Sequence, residues 1–318
     1  MKSLRLTTAA VAGFLFLAGP ASAMDGVVAS IKPVHSLVAA VMGDTGTPDL
    51  LVQGAASPHT YSLRPSEARK LNQAKVVFWV GDGMETFLSK PLQSLATGAK
   101  IVNLSQTPGL TMLDLRDGGS FEHHDHDNHD HDHAHESDDA HHHEHHAKDM
   151  HLWLDPENAR VMAKEIARTL AEADPDNAST YEQNASALDR RLAALIQETA
   201  SNLSDVKDKP FIVFHDAYHY FEDRFGLHAA GSISINPETP PSAQRVREIQ
   251  DKIAERNASC VFAEPQFEPR IVSVVAEGTS ARAGELDPLG ADLKDGPDLY
   301  FQLIGNLAAS IKSCLSDR

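Results

Sequence analysis

Short apolar runs alternate with amphipathic stretches along most of the chain, beginning at residue 27. Apolar runs of a few residues that end in turn residues predict buried strands, and apolar positions three or four apart predict helices. In the first half the predicted strands are 27–31, 49–52, 76–80 and 101–102, and the predicted helices are 33–42, 65–74, 84–95 and 157–173. Strands that alternate with helices in this way predict a parallel sheet.

The second half repeats this alternation after one long helix, predicted over 181–203 from its apolar stripe at Leu188, Leu192 and Leu195. Beyond it the predicted strands are 211–214, 229–235 and 260–263, and the predicted helices are 217–225, 242–257, 270–281 and 299–315. We therefore predict an α/β fold of two small (β/α)4-like lobes with parallel sheets. The lobes, 24–173 and 208–318, are joined by one long rigid helix within 174–207.

The first 23 residues have the pattern of a secretory signal peptide. Lys2 and Arg5 precede a mostly apolar stretch, 7–17, and residues 21–23 (Ala-Ser-Ala) form a small-residue cleavage motif. The apolar stretch is shorter than the roughly 20 residues that a membrane helix needs, and residue 24 is Met rather than the cysteine of a lipoprotein. We expect cleavage after Ala23 and an exported protein without a lipid anchor.

One segment departs strongly from ordinary composition. The chain has 45 acidic and 28 basic residues, and its net charge of −17 disfavours nucleic acid as a partner, because phosphate binding draws on Lys and Arg. Residues 121–149 carry −9 of this charge and 12 of the 18 histidines. Because 117–149 has no apolar periodicity, we predict a disordered loop inserted in the first lobe.

Histidines interleaved with Asp and Glu are typical of segments that bind several divalent metal ions loosely. A solvated acidic spacer is the alternative, but this histidine content is unusual for a linker. The predicted auxiliary ligands are His123, His124, His126, His129, His131, His133, His135, His141, His142, His143, His145 and His146.

Four polar residues from different segments are candidate ligands of a tighter site. Ligands bind beyond the carboxyl ends of parallel strands, and His59 and His215 follow predicted strands. His151 begins the first apolar turn after the acidic loop, and Asp287 follows the helix predicted at 270–281. Three imidazoles and one carboxylate suit tetrahedral Zn²⁺. Each histidine taken alone is more commonly a structural residue, and spacing does not prove that the four converge.

The segment from His215 to His219 (His-Asp-Ala-Tyr-His) contains a second possible pair of ligands. Histidines four residues apart on one helix are typical of the zinc-protease motif H-E-x-x-H, with Asp216 here in place of glutamate. The shorter Asp216 side chain is poorly suited to hold an attacking water, so we assign His215 as the ligand and His219 as a structural or supporting residue. Glu264 faces the cleft or acts as a cap or salt-bridge residue, and we do not assign it as a ligand.

The two cysteines, Cys260 and Cys314, are the remaining chemically distinctive residues. In an exported protein an isolated pair is most simply one disulfide, which stabilises a fold by roughly 2–4 kcal/mol. Metal binding by the pair is the weaker alternative, because the sequence lacks C-x-x-C spacing.

Five motifs resemble those of the metal-binding subunits of ABC importers in cluster A-I. They are 57–66 (Ser-Pro-His-Thr-Tyr-Ser-Leu-Arg-Pro-Ser), 76–81 (Val-Val-Phe-Trp-Val-Gly), 151–156 (His-Leu-Trp-Leu-Asp-Pro), 214–218 (Phe-His-Asp-Ala-Tyr) and 286–290 (Leu-Asp-Pro-Leu-Gly). With the His-rich loop, they most closely resemble the zinc-binding (ZnuA-type) branch of this family. The resemblance covers nearly the whole exported chain.

The resemblance implies two α/β lobes bridged by a rigid helix, with metal in the cleft between them and His59, His151 and His215 as principal ligands. Manganese-type relatives have a glutamate at the third position, so His215 favours zinc. Some zinc-type members have a glutamate just before the first histidine, where this chain has Pro58, which leaves Asp287 or water as the fourth ligand. A Cys260–Cys314 disulfide is also implied.

The function implied by the resemblance is that of a periplasmic solute-binding protein rather than an enzyme. It captures Zn²⁺ and delivers it to an ABC-type membrane permease with its cytoplasmic ATPase, and the loop gathers zinc or senses it. We expect a monomer, with a periplasmic zinc chaperone as a further candidate partner. The alternatives are an exported metallohydrolase using His215, His219 and Asp216, a periplasmic zinc buffer, and manganese or iron import.

Overall fold

The computed structural model describes residues 23–116, 121, 147–235, 237, 239–268 and 270–316. Residues 1–22 of the predicted signal peptide and all twelve loop histidines lie outside these ranges. No helix within them is long and apolar enough to cross a membrane. Met24, the expected first residue after cleavage, is buried, and its N–H donates to the Thr45 carbonyl oxygen at 2.7 Å.

The first lobe is built on a four-stranded parallel sheet. Its elements are β1 (Val27–Ala29), α1 (Lys32–Met42), β2 (Asp49–Leu50), α2 (Pro65–Gln73), β3 (Val76–Trp79), α3 (Ser89–Ser94), β4 (Lys100–Asn103) and α4 (Pro156–Ala173). The strand order is β2-β1-β3-β4, and every pairing is parallel. All four residues of β3 are buried, because a parallel sheet covered on both faces needs apolar side chains at each position.

The 26-residue helix α5 (Ala178–Leu203) follows the first lobe and packs against α1 and α4. The second lobe then contains β5 (Phe211–Val213), α6 (His219–Phe225), β6 (Ala229–Ser232), α7 (Ala243–Arg256), β7 (Cys260–Ala263), α8 (Arg270–Ala276), β8 (Arg282–Glu285) and α9 (Leu299–Leu315). Its parallel strands have the order β6-β5-β7-β8. The predicted α/β class, the two parallel sheets and the long helix are confirmed.

Strand β8 was not predicted, and the helix expected over 270–281 ends at Ala276. Strand β8 has the sequence Arg-Ala-Gly-Glu, and three of its four residues are exposed. Because β8 lies at the edge of the sheet, it needs no apolar run, and its backbone pairing with β7 carries the strand. The prediction failed here because it relied on hydrophobic periodicity.

One apolar core extends across both lobes. It includes β1 and β3 residues from the first sheet, β5 and β7 residues from the second, and Leu188 and Leu192 of α5. Helix α9 packs against both α5 and α1, which joins the second lobe to the first. The predicted disulfide is present, and it ties Cys260 of β7 to Cys314 of α9.

Candidate metal centre

Three histidines converge in a small pocket between the lobes. His59, His151 and His215 each bring one ring nitrogen to within 4.8 Å of the other two. The Nε2 atom of His151 lies 3.3 Å from that of His59 and 3.3 Å from that of His215. Nitrogen ligands at the Zn–N distance of about 2.0–2.1 Å are about 3.3–3.4 Å apart in a tetrahedron. The observed spacing therefore suits zinc.

Each histidine lies in an irregular segment next to a regular element. His59 lies between β2 and α2, where its backbone N–H donates to Ser57 Oγ at 3.3 Å. His151 comes just before a 3₁₀ turn at Leu152–Leu154 that leads into α4, and His215 lies two residues after the end of β5. Segments after β2 and β5 meet at the carboxyl ends of the two sheets, as expected for open parallel sheets.

Burial sets the protonation of these imidazoles. It lowers the pKa of His59 to about 2, with the charges of His151 and His215 adding to the effect. It also lowers the pKa of His151 to about 3, with a further contribution from His215. Burial acts in the same direction on His215, but the nearby carboxylates of Glu264, Asp216 and Asp149 outweigh it and raise that pKa. His59 and His151 are therefore neutral ligands far below neutral pH.

Two buried carboxylates hold the outer nitrogens of two of these histidines. Asp149 Oδ1 lies 2.7 Å from Nδ1 of His151 and also accepts the His151 backbone N–H at 2.9 Å. Glu264 lies 2.8 Å from Nδ1 of His215 and accepts the His215 backbone N–H at 3.2 Å. Each carboxylate accepts a hydrogen bond from Nδ1–H, so in the neutral form of each ring Nε2 carries no proton. Such carboxylate–histidine pairs orient metal ligands and raise their basicity.

The sequence analysis missed both supporting carboxylates. Asp149 was assigned to the predicted loop 117–149, yet residues 147–150 are described, and Asp149 is buried. Glu264 was left as a cleft-facing, cap or salt-bridge residue, and it is 2% exposed behind His215. The available signals were the position of Asp149 two residues before a candidate ligand and that of Glu264 directly after a strand.

Asp287 does not join the three histidines. Its carboxylate accepts the backbone N–H groups of Leu289, Gly290 and Ala291 and the side-chain amide of Gln266. These four donors hold the carboxylate in the turn that follows β8. Among the described residues, the cluster of metal-ligating side chains contains His59, His151 and His215 but not Asp287. The structure therefore brings together the three predicted histidines but not Asp287, whose carboxylate holds a turn and the Gln266 amide.

His215 and His219 do not have the arrangement of the zinc-protease motif, in which both histidines lie on one face of a helix. Helix α6 begins at His219, so His215 precedes the helix and the two rings do not share a helical face. Asp216 is ion-paired with Arg116, whose Nε lies 2.9 Å from Asp216 Oδ2. The carboxylate that a hydrolase would need as a general base is thus already neutralised.

Hydrogen bonds across the lobes frame the pocket. Trp153, two residues after His151, donates from Nε1 to the Pro288 carbonyl at 2.9 Å, and Tyr300 donates to the Trp153 carbonyl at 2.6 Å. On the far side of the same turn, Lys32 Nζ donates to the Ala291 carbonyl at 2.9 Å. The segment that carries His151 is therefore fixed by direct contacts to the Asp287 turn and to α9 of the second lobe.

Known proteins resemble the chain along its whole length. Residues 27–314 match the family described as zinc-uptake complex component A, periplasmic. The chain is 56% identical to the high-affinity zinc uptake system protein ZnuA of Brucella suis, with 99% of each chain covered. It is 40% identical to the protein of the same name from Yersinia pestis, with 98% of each covered.

Solved structures agree with these relatives. A crystal structure of ZnuA has a TM-score of 0.76 at 28% identity and covers 93% of this chain and 100% of the other. A zinc-bound ZnuA deletion mutant has a TM-score of 0.73 at 27% identity, with the same coverage. The family match and the relatives above 30% identity span nearly all of the chain, which belongs to the family of periplasmic zinc-uptake complex components A.

Proposed function

We propose that this protein captures Zn²⁺ in the periplasm through His59, His151 and His215 and delivers it to an ABC-type permease for import. The observation that carries the proposal is the pair of 3.3 Å contacts between Nε2 atoms. Asp149 and Glu264 engage Nδ1 of His151 and His215, so in the neutral rings the two Nε2 lone pairs face each other. A cation between them removes that repulsion, and imidazole is a preferred ligand of zinc.

The chemistry of the pocket favours binding over catalysis. Its three ligands are imidazoles, and the nearby carboxylates are engaged by histidine rings, backbone N–H groups or Arg116. The relatives from Brucella suis and Yersinia pestis carry names of zinc uptake proteins, which supports transport as the role of the site.

Delivery requires partners outside this chain. We propose a membrane permease and a cytoplasmic ATPase as the receiving complex, with a periplasmic zinc chaperone as a candidate donor. The protein acts as a monomer, and its export rests on the predicted signal peptide cleaved after Ala23. The loop histidines, His123 to His146, supply an auxiliary site that gathers or senses zinc.

Zinc titration against a competing chelator tests the cleft site. We expect one tight site in the protein that lacks 122–146, and we expect His215→Ala to weaken it by at least 100-fold, because a lost ligand exceeds the 10–100-fold cost of a lost supporting residue. The deletion spares Asp149, which the structure places behind His151. His228→Ala, which changes an exposed histidine of the same lobe, is the matched control and keeps full affinity.

The loop is tested separately, by uptake rather than by binding. Cells that carry the 122–146 deletion should import zinc normally when it is plentiful and more slowly under severe limitation. If tight binding disappears with the loop alone, the cleft is not the transport site and the chain is better described as a zinc buffer.

A further inference from the structure

Gln266 has an orphaned acceptor in the histidine pocket. It lines the same pocket as His59, His151 and His215. Its Oε1 atom is buried and has no hydrogen-bond partner among the residues that the structure describes. Buried polar atoms are nearly always paired, so an unpaired one in a binding pocket indicates a missing partner.

The contact with Asp287 shows which atom of the Gln266 side-chain amide lacks a partner. Gln266 Nε2 donates to Asp287 Oδ1 at 2.9 Å, and three backbone N–H groups hold the Asp287 carboxylate in place. A carboxylate accepts hydrogen bonds only, so the nitrogen must face Asp287 and the oxygen must face away. The orphaned atom is therefore an acceptor, and its partner must be a hydrogen-bond donor.

Three histidine ligands leave one position of a tetrahedral zinc site for a small molecule. Zinc polarises a bound water and makes it a strong hydrogen-bond donor, whereas an anion has no proton to donate. We propose that Gln266 Oε1 accepts a hydrogen bond from a water in this fourth position and that Asp287 orients the Gln266 amide to do so. This inference rests on the proposed zinc function and adds a positioning residue that selects water over anions.

The test compares Gln266→Leu with Gln302→Leu, an exposed glutamine on α9 that serves as the matched control. Gln266→Leu should weaken zinc binding about tenfold, in the range found for residues that support a metal ligand. In the Co²⁺-loaded protein, thiocyanate should bind about tenfold more tightly to Gln266→Leu than to the wild type, because the repelling oxygen is gone. The visible Co²⁺ bands report this binding, and a loss of stability alone would not increase it.

Asp287→Ala provides a second arm, because alanine leaves the Gln266 amide without its acceptor. It should weaken zinc binding in the wild-type background and have little further effect in Gln266→Leu, because both substitutions act through one amide. An equal effect in both backgrounds would overturn the orienting role of Asp287. Unfolding midpoints of all variants show that zinc affinities are compared between folded proteins.

A bound water is detected by electron paramagnetic resonance of the Co²⁺-loaded wild type. Its signal should broaden in water enriched in oxygen-17, because the nuclear spin of this isotope couples to the metal when the water is bound directly. A narrow signal there, or unchanged zinc and thiocyanate binding in Gln266→Leu, overturns the inference. If the wild type and the Gln302→Leu control bind neither Zn²⁺ nor Co²⁺ tightly, the proposed function itself fails. Tight binding by both proteins together with an unaltered Gln266→Leu variant refutes only the role of Gln266.

Discussion

At the residue scale, the decisive feature is the tautomer of two imidazoles, that is, which ring nitrogen of His151 and of His215 bears the proton. Asp149 and Glu264 each take a hydrogen bond from Nδ1, which leaves Nε2 of His151 and His215 as bare donors of an electron pair to a metal. Both carboxylates are almost completely buried, so they have few competing partners. The site is prepared for a cation before one arrives.

Replacing Asp149 by asparagine should weaken this arrangement. One carboxylate oxygen accepts both the backbone N–H and the Nδ1–H of His151, so an asparagine would keep its oxygen there but lose the negative charge that makes His151 a stronger ligand. We expect zinc affinity to fall about 10–100-fold, as for other partners of metal-ligating histidines, with little change in fold. Chelator competition measures the effect.

Asp114→Asn is the matched control for this substitution, because Asp114 lies on the same segment pair and forms an exposed ion pair with Lys148. It should leave zinc affinity unchanged. Equal affinities of Asp149→Asn and the wild type would show that the charge of this carboxylate does not strengthen His151 as a ligand.

The pKa values predict a shallow pH dependence of zinc affinity. His59 and His151 stay neutral down to about pH 3, since their pKa values are lowered to about 2 and about 3, whereas the pKa of His215 is raised. Below the pKa of His215, zinc must displace one proton, so affinity should fall about tenfold per pH unit. Above it, affinity should be level.

Titrations at intervals between about pH 5 and 8 give this slope. Because burial raises the pKa of Asp149 to about 6, the slope is read above that pH, where a limiting slope of one supports the assignment of His215 as the single titrating ligand. A slope near three would mean that all three histidines are protonated in the metal-free protein, contrary to the effect of their burial.

Residue types and chain order made the three histidines candidates and the family resemblance singled them out, but neither predicted the environment of the carboxylates. Asp287 was a reasonable candidate ligand because it follows the second sheet, yet its oxygens accept backbone N–H groups of its own turn. Asp149 was not recognised because it follows a segment rich in Asp and Glu, and nothing in its residue type distinguishes it from those neighbours. Which carboxylate points at which partner depends on contacts between distant segments, and one sequence does not contain them.

At the element scale, a short antiparallel segment pair links the loop ends to the site. Leu115 N donates to the Ala147 carbonyl at 2.8 Å, and Asp149 N donates to the Leu113 carbonyl at 3.0 Å. Arg116, at the end of this pair, forms ion pairs with Asp216 and Glu222, on either side of the start of α6. The segments that carry His151 and His215 are thus held by one set of contacts.

Arg116→Ala should destabilise the protein strongly. It leaves the largely buried Asp216 and the buried Glu222 without their shared cation, and removing one partner of a buried ion pair costs about 3–5 kcal/mol. Urea unfolding measures the change in the free energy of unfolding. Lys148→Ala, which removes an exposed ion pair on the same segment pair, should cost under about 1 kcal/mol. Similar losses in the two variants would contradict this account.

Elements with an apolar pattern were predictable, and those without one were not. The strand at 260–263 and the helix at 299–315 have the predicted bounds, because both are lined with apolar residues. Strand β8 was missed because an exposed edge strand depends on its neighbour's backbone rather than on its own side chains.

At the scale of the whole molecule, the two lobes share one core. Residues of both sheets and of α5 belong to a single buried apolar cluster. Separating the lobes would expose part of that cluster to water, which is costly at roughly 25 cal/mol per Å² of apolar surface. This favours small movements of the lobes during zinc binding over wide opening.

The shared core predicts that both lobes unfold together. Calorimetry should show one cooperative transition, and Leu192→Ala, at a fully buried position of α5, should cost about 2–5 kcal/mol and shift that transition as a whole. Gln197→Ala, at an exposed position of the same helix, is the control and should leave it in place. Two transitions, of which only one moves, would show that the lobes are independent.

The central claim is that one zinc ion binds His59, His151 and His215 in the pocket between the lobes. Anomalous diffraction at the zinc edge, from crystals of the metal-loaded protein without 122–146, locates the ion directly. The account predicts one strong peak at about 2.0–2.1 Å from three Nε2 atoms, with the Asp287 carboxylate outside the coordination sphere. If no peak lies in this pocket, or if the Asp287 carboxylate coordinates the ion, the proposed site is wrong.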